Sequence, residues 1–288
     1  MFASQTYQQM AEQLDLTSPY DLVDAGTWTL EKYREYMSAA MRDVNGDGTM
    51  NTEDIFGFLS DSRHIAPTLW VASGVQSIGK DADDIPVYAM ENEKMLEVLE
   101  IAHSLYWGEK FWYSCAENSA ECNRLFANGG SLFINTMFGT LFGEDFRGME
   151  DDYGIIPYPK YDEAQQTYYT RVEGGTPYVI PTTVGDAAFS SAILEALSCE
   201  SYNTLLPVYY ELALKTKLTR DERSVQSPDM IMQNRIYDLS DTFFCNQLRD
   251  DFDVNYFSSG KLINASTVES RAKTVTRAIT KVTEPFLD

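Results

Sequence analysis

Apolar positions recur along the chain in two periods, and these mark out its elements. In "TWTLEKYREYMSAAMRD" the residues Leu30, Tyr33, Met37, Ala40 and Met41 share one face at helical spacing, with Thr29 placed as the N-cap. "NEKMLEVLEIAHSLYWG" predicts a second amphipathic helix, stopped by Gly108, and "STVESRAKTVTRAITKV" a closing helix before Pro285. "HIAPTLWVASGV" predicts an apolar helix entered at its proline, and residues 119–128 a short one ending at "NGG". After Asp186 helices dominate: "DAAFSSAILEALSCE", "TLLPVYYELALKTKL" and "SPDMIMQNRIYDLS", the last with Ser227 as cap and Pro228 in first position.

"IFGFLS" and "SLFINTMF" are short apolar runs of strand length, and "DDYGIIPYPKYDEAQQTYYTRVEGGTPYVIP" predicts two strands joined by a turn at Asp162 to Gln165. Strands and helices interleave without a fixed repeat, so the class is α/β or α+β with helix in excess. The opening "MFASQTYQQMAEQLD" starts inside a helical pattern and lacks the basic-then-apolar order of a secretory signal, so the chain is expected to be a piece of a longer protein.

The 288 residues are enough for one large or two moderate domains. A net charge of −22 argues against a nucleic-acid partner and against an anionic membrane surface. No apolar run approaches the ~20 residues of a membrane helix. Cys115, Cys122, Cys199 and Cys245 have no metal-like spacing; we expect buried thiols, with Cys115 and Cys122 the one pair that could bridge locally.

"DVNGDGTMNTED" carries a calcium-loop pattern: Asp43, Asn45 and Asp47 at positions one, three and five, Gly48 at the turn, the Thr49 carbonyl at seven and Asp54 at twelve. Such alternating oxygens suit a hard cation, so a structural calcium pinning the end of a helix is expected. A single loop does not make a paired sensor, and no duplicated segment suggests a docking module. Asp54 is shorter than the usual glutamate, which favours a weak site.

Among the aromatics, Trp28 and Trp107 sit at helix ends and are expected in the core, whereas Trp70 and Trp112 could stack on a sugar ring. His103 lies within an amphipathic helix; His64 in "DSRHIAP" could face a cleft. Arg171 and Glu173 in "RVEGGTPYVIP" either project into a cleft or form a surface salt bridge. In "LKTKLTRDERS", Lys215, Lys217, Arg220 and Arg223 compensate a helix C-terminus. No HExxH, GxSxG or phosphate loop is present, so no enzyme is indicated by signature, and a two-carboxylate glycosidase, defined by geometry alone, remains an alternative. A calcium-dependent interaction module is the other alternative.

Five stretches in order, "YDLVDAGTWTLEKY", "DVNGDGTMNTEDIFGF", "LFANGGSLFINTMF", "DYGIIPYPKYDEAQQTYYT" and "PVYYELALKTKLTRDERS", resemble landmarks of extracellular solute-binding proteins of ABC importers, in the maltose-binding-like, carbohydrate-importer branch. The resemblance implies a type II periplasmic-binding-protein architecture, two α/β lobes joined by hinge strands, helix-rich and with the first lobe incomplete. It implies the second lobe with the calcium loop over 1–150, hinge and return strands over 151–185, and the C-terminal helical part of the first lobe over 186–288. It further implies a small carbohydrate ligand, ABC permease transmembrane subunits as partners, no chemical step, and an extracellular parent anchored as a lipoprotein. By position it nominates Phe138 against the ligand, Arg63, His64 and Trp70 on a cleft wall, and Tyr169, Arg171 and Glu173 as polar partners.

Overall fold

The computed structural model describes residues 2–4, 16–115, 119–173, 178–209, 223 and 226–287. Nine strands appear among these: β1 Phe2–Ser4, β2 Phe56–Ser60, β3 Ile78–Lys80, β4 Pro86–Tyr88, β5 Trp112–Ser114, β6 Ser131–Ile134, β7 Tyr153–Ile155, β8 Thr170–Arg171 and β9 Arg235–Ile236. The central sheet has the order β5-β2-β6-β1-β7, with β2 parallel to β5 and β6, and β1 antiparallel to β6 and β7. Every residue of β2, β6 and β7 is buried, which is why their sequences run continuously apolar instead of alternating. Phe58 and Phe133 face one core with Trp28, Tyr33 and Trp70, while Phe56, Ile134 and Ile155 face another with Phe126 and Phe146.

The first helices are α1 Pro19–Asp24, α2 Leu30–Ala40, α3 Ser62–Ala72, α4 Glu93–His103, α5 Ser119–Ala127 and α6 Glu144–Arg147. In α2 the Thr29 hydroxyl accepts from the Lys32 amide, and Leu30, Tyr33, Tyr36, Met37 and Ala40 are buried. Gly57 admits this helix: a Cβ there would stand 2.6 Å from the Met37 Cβ, so only glycine lets α2 lie so close to the sheet. α3 begins earlier than its proline suggests. The Asp61 carboxylate caps it by accepting from the Arg63 amide, and Pro67 lies inside the helix.

Further on come α7 Ala187–Glu200, α8 Ser227–Gln233, α9 Leu239–Thr242, α10 Arg249–Asn255 and α11 Ala265–Thr283. α8 is shorter than expected: Gln226 occupies the cap position, and after Gln233 the chain straightens into β9, which pairs in parallel with β8. Residues 178–181 form no strand, and 174–177 lie outside the described residues, so the expected return strand is not seen in the described part. The helix expected over "TLLPVYYELALKTKL" is described only to residue 209; Lys215, Lys217 and Arg220 lie outside, and Arg223 pairs with Asp21 and Asp24.

The expected lobe boundary at 186 is not where the packing changes. Phe252, Phe257, Val268, Val275 and Ile279 share one core with Trp70 and Leu105, so the C-terminal helices cover the same body as residues 16–160. A buried carboxylate fastens them there: Asp238 accepts from the Trp70 indole (3.1 Å), the Ser77 amide (3.0 Å) and the Ser77 hydroxyl (2.7 Å). α7 differs, with no buried residue and with Phe189, Ile193 and Leu197 in an outward stripe, 65%, 46% and 62% exposed.

Cys115 and Cys122, the one pair expected to be able to bridge locally, form a disulfide; the expectation of buried thiols fails for Cys199, which is exposed, and Cys245, which is half-buried. Among the described residues no helix is long and apolar enough to cross a membrane.

Candidate ligand-binding site

A cavity of ≈ 980 Å³ opens at the C-terminal ends of the parallel strands β2 and β6, the position where open α/β sheets place their ligands. Ser60 ends β2 and Asn135 follows β6. The Asn135 amide nitrogen of the main chain donates to Leu59 O (2.9 Å), and its side-chain nitrogen lies 3.3 Å from the Ser60 hydroxyl, so the two strand ends form one polar floor. The Asp61 cap turns the first residues of α3, Arg63 and His64, onto the cavity wall, where Arg63 pairs with Asp61 at 3.3 Å.

Opposite stands a cluster of charges. Arg171 forks onto Asp241 with two bonds of 2.7 Å, and the side chains are 5% and 0% exposed. Its remaining nitrogen lies 3.3 Å from His64 Nδ1 and 3.4 Å from the Thr68 hydroxyl. Arg249 reaches the same Asp241 at 3.3 Å and Asp250 at 2.8 Å. Glu173 sits between His64 Nδ1 (3.4 Å) and Arg249 (3.6 Å). Thus Arg171 is a buried, bidentate anchor and not a surface ion pair; a guanidinium in this setting is tolerated because its fork is matched by a carboxylate. Burial holds the His64 imidazole below its ordinary range, an effect that the neighbouring Glu173 partly offsets.

Five nominated residues meet at this cavity: Arg63, His64, Phe138, Arg171 and Glu173. Three do not. Trp70 is fully buried and spends its N–H on Asp238; Trp112 is enclosed, donating to Ser60 O (3.1 Å) and stacking edge-on with Tyr106. Neither ring can reach a ligand, because the large apolar area of an indole gains more from the core than from a wet cleft. Tyr169 packs over Gly74, away from the cavity. Trp28 is buried as expected, whereas Trp107 is partly exposed and donates to Phe257 O (2.8 Å), and His103 bonds Gly260 O (2.8 Å). Sequence reasoning missed Ser60, Asn135, Thr136, Asn123 and Arg235, which also line the cavity. A signal existed for Ser60 and Asn135: one ends and the other directly follows a wholly buried strand.

The loop from Asp43 to Asp54 lies away from this cavity and is closed by a bridge between Arg42 and Ile55. Gly46 and Gly48 adopt φ of +73° and +79°, a left-handed conformation that glycine reaches without strain. Asp43 accepts from the Gly46 and Gly48 amides, Asn45 from the Asp47 amide, Asp47 from the Thr49 amide, and buried Asp54 from the Val44 and Asn51 amides. Among the described residues, no group of three or more His, Cys, Asp or Glu side chains is placed to hold a metal ion.

No family model and no curated protein matches the chain. Solved structures match its fold. A maltose/maltodextrin-binding domain, MalE, from Bdellovibrio bacteriovorus bound to maltotriose superposes with a TM-score of 0.61 at 14% identity, over 96% of this chain and 70% of that one. An ABC transporter solute-binding protein from Thermotoga lettingae bound with α-D-tagatose gives 0.61 at 13%, over 96% and 69%. UgpB from Mycobacterium tuberculosis in complex with glycerophosphocholine gives 0.61 at 12%, over 97% and 67%. The fold is that of these binding proteins, the type II periplasmic-binding-protein architecture, in a helix-rich α/β form.

Proposed function

We propose that a chain with this fold is the solute-capturing component of an ABC importer, and that it takes a neutral, hydroxyl-rich ligand, a sugar or oligosaccharide, without chemically altering it. The carrying observation is the balance of the cavity wall. In a chain of net charge −22 the charges at this site cancel locally, Asp61 against Arg63, Arg171 against Asp241 and Glu173 against Arg249, while Ser60, Asn123, Asn135 and Thr136 supply neutral donors and acceptors. A charged ligand would meet a like charge on such a wall, whereas hydroxyl groups find partners throughout. Phe138 adds an apolar face suited to the C–H side of a sugar ring.

Binding is favoured over glycoside hydrolysis because the lining carboxylates are engaged: Asp61 caps a helix, Glu173 lies between His64 and Arg249, and Asp253 accepts from the Ser258 hydroxyl. Residues 178–209, bare of internal burial, are assigned to the opposing lobe, and closure of that lobe over the cavity would present the loaded protein to a membrane permease. The Cys115–Cys122 disulfide favours an exported setting. As a separable part of the proposal, calcium occupies the Asp43 to Asp54 loop as a structural ion, supported by the spacing of its oxygen donors.

A thermal-shift screen of mono- and oligosaccharides tests the function. A true ligand at one hundred times its Kd adds about 2.7 kcal/mol of stability. A shift with one sugar class and no product supports capture; no shift with any sugar removes the carbohydrate assignment, and product formation removes the non-enzymatic one.

A further inference from the structure

The two ring nitrogens of His64, on the cavity wall, have different surroundings. Nδ1 faces Arg171 at 3.3 Å, with hydrogen-bond geometry, and Glu173 at 3.4 Å, where no hydrogen bond forms. The guanidinium always carries its protons, and this one is aimed by its double bond to Asp241. A proton on Nδ1 would therefore point at an N–H of Arg171, so Nδ1 must be the acceptor. Nε2 has no partner among the described residues, and the ring lines the cavity.

We propose that His64 is held as the neutral imidazole with its proton on Nε2, and that this N–H is a fixed donor to an acceptor oxygen of the bound ligand. Asp241 orients Arg171, Arg171 sets the tautomer, and the tautomer decides what the cavity offers. The charged groups facing the ring are Arg171 at the end of β8 and Glu173 just after it, Arg249 behind Glu173, and Asp61 and Arg63 at the start of its own helix. Burial opposes a positive ring in their midst. Only the identity of the occupant rests on the sugar reading above.

The chain has two histidines, so imidazole nitrogen NMR spectra of the full chain can be assigned with a His103→Gln variant. At pH 7.5 the expected spectrum shows His64 with a bare Nδ1 and a protonated Nε2. A proton on Nδ1, donated to Glu173, overturns the proposal. The second arm measures affinity for maltotriose and a monosaccharide series in the parent, His64→Gln and His64→Phe, each first confirmed as folded by its melting curve. His64→Gln keeps a donor near Nε2 and should bind within about threefold of the parent, while His64→Phe should bind about five- to tenfold more weakly. Equal binding by His64→Phe overturns the donor role. If no sugar binds the parent, the sugar reading fails and the tautomer spectrum alone decides this proposal.

Discussion

Two helices of this molecule invert the usual link between composition and burial. α7 is rich in Ala, Ile, Leu and Phe and buries nothing, whereas α11, with Lys, Arg, Ser and Thr through its length, buries Val268, Val275 and Ile279. Both are helical for local reasons, each with a side-chain N-cap: Asp186 accepting from the Phe189 amide, Asn264 from the Thr267 amide. Among the described residues, what separates them is a partner. α11 lies along β4, where the Tyr88 hydroxyl donates to Val268 O, and three apolar residues suffice once a surface is there to receive them. An apolar stripe states a capacity for burial; neighbours decide whether it is used.

The strongest way to break the covered side is Asp241→Ala, which leaves Arg171 in the interior without its fork. A loss of about 3–5 kcal/mol is expected in urea denaturation, against much less for a joint replacement of both partners by apolar residues. Next, Ile279→Ala in α11 should cost about 2–5 kcal/mol, while the same change at Ile193 in α7 should stay within about 0.5 kcal/mol. Equal costs for the pair would erase the contrast between the helices.

A smaller effect concerns the loop that follows α2. Asp47→Ala should lower the Tm in calcium buffer and leave it unchanged under chelator; equal melting of variant and parent in calcium would remove the metal. The smallest is the pH dependence of His64. Its folded value lies below the ordinary one through burial, so the unfolded chain takes up the proton more readily. Stability should be level above about pH 6.5 and decline as the pH falls below it, and the His64→Gln variant should lack that decline. Urea midpoints at pH 7.5 and 5.5 measure the difference.

The sequence made the helices of the covered body legible because Leu30, Tyr33 and Met37, or Met95, Val98 and Leu99, repeat at helical spacing with a cap in place. It made the buried strands legible through unbroken apolar runs. Long-range partners were not: β8 pairs with β9 across more than sixty residues, and nothing local in "TR" or "RI" announces that pairing. Of the site, His64, Arg171 and Glu173 were legible as charges near a turn, but the fork to Asp241 was hidden because Asp241 reads as one more acid in an acidic chain. Trp70 and Trp112 misled for a related reason. An indole suits a sugar and a core equally, and only the acceptors at Asp238 and Ser60 O decide between them.

The bond from Trp70 to Asp238 also sets a clock. The two residues are 168 positions apart, so on a ribosome adding about 5–20 residues per second the indole is made roughly ten to thirty seconds before its acceptor exists. Through that interval the half-finished body has an open seam where the last helices will lie. Residues 226–287 act as the closing stitch of a body begun long before, and any process that slows their synthesis lengthens its exposure to chaperones and proteases.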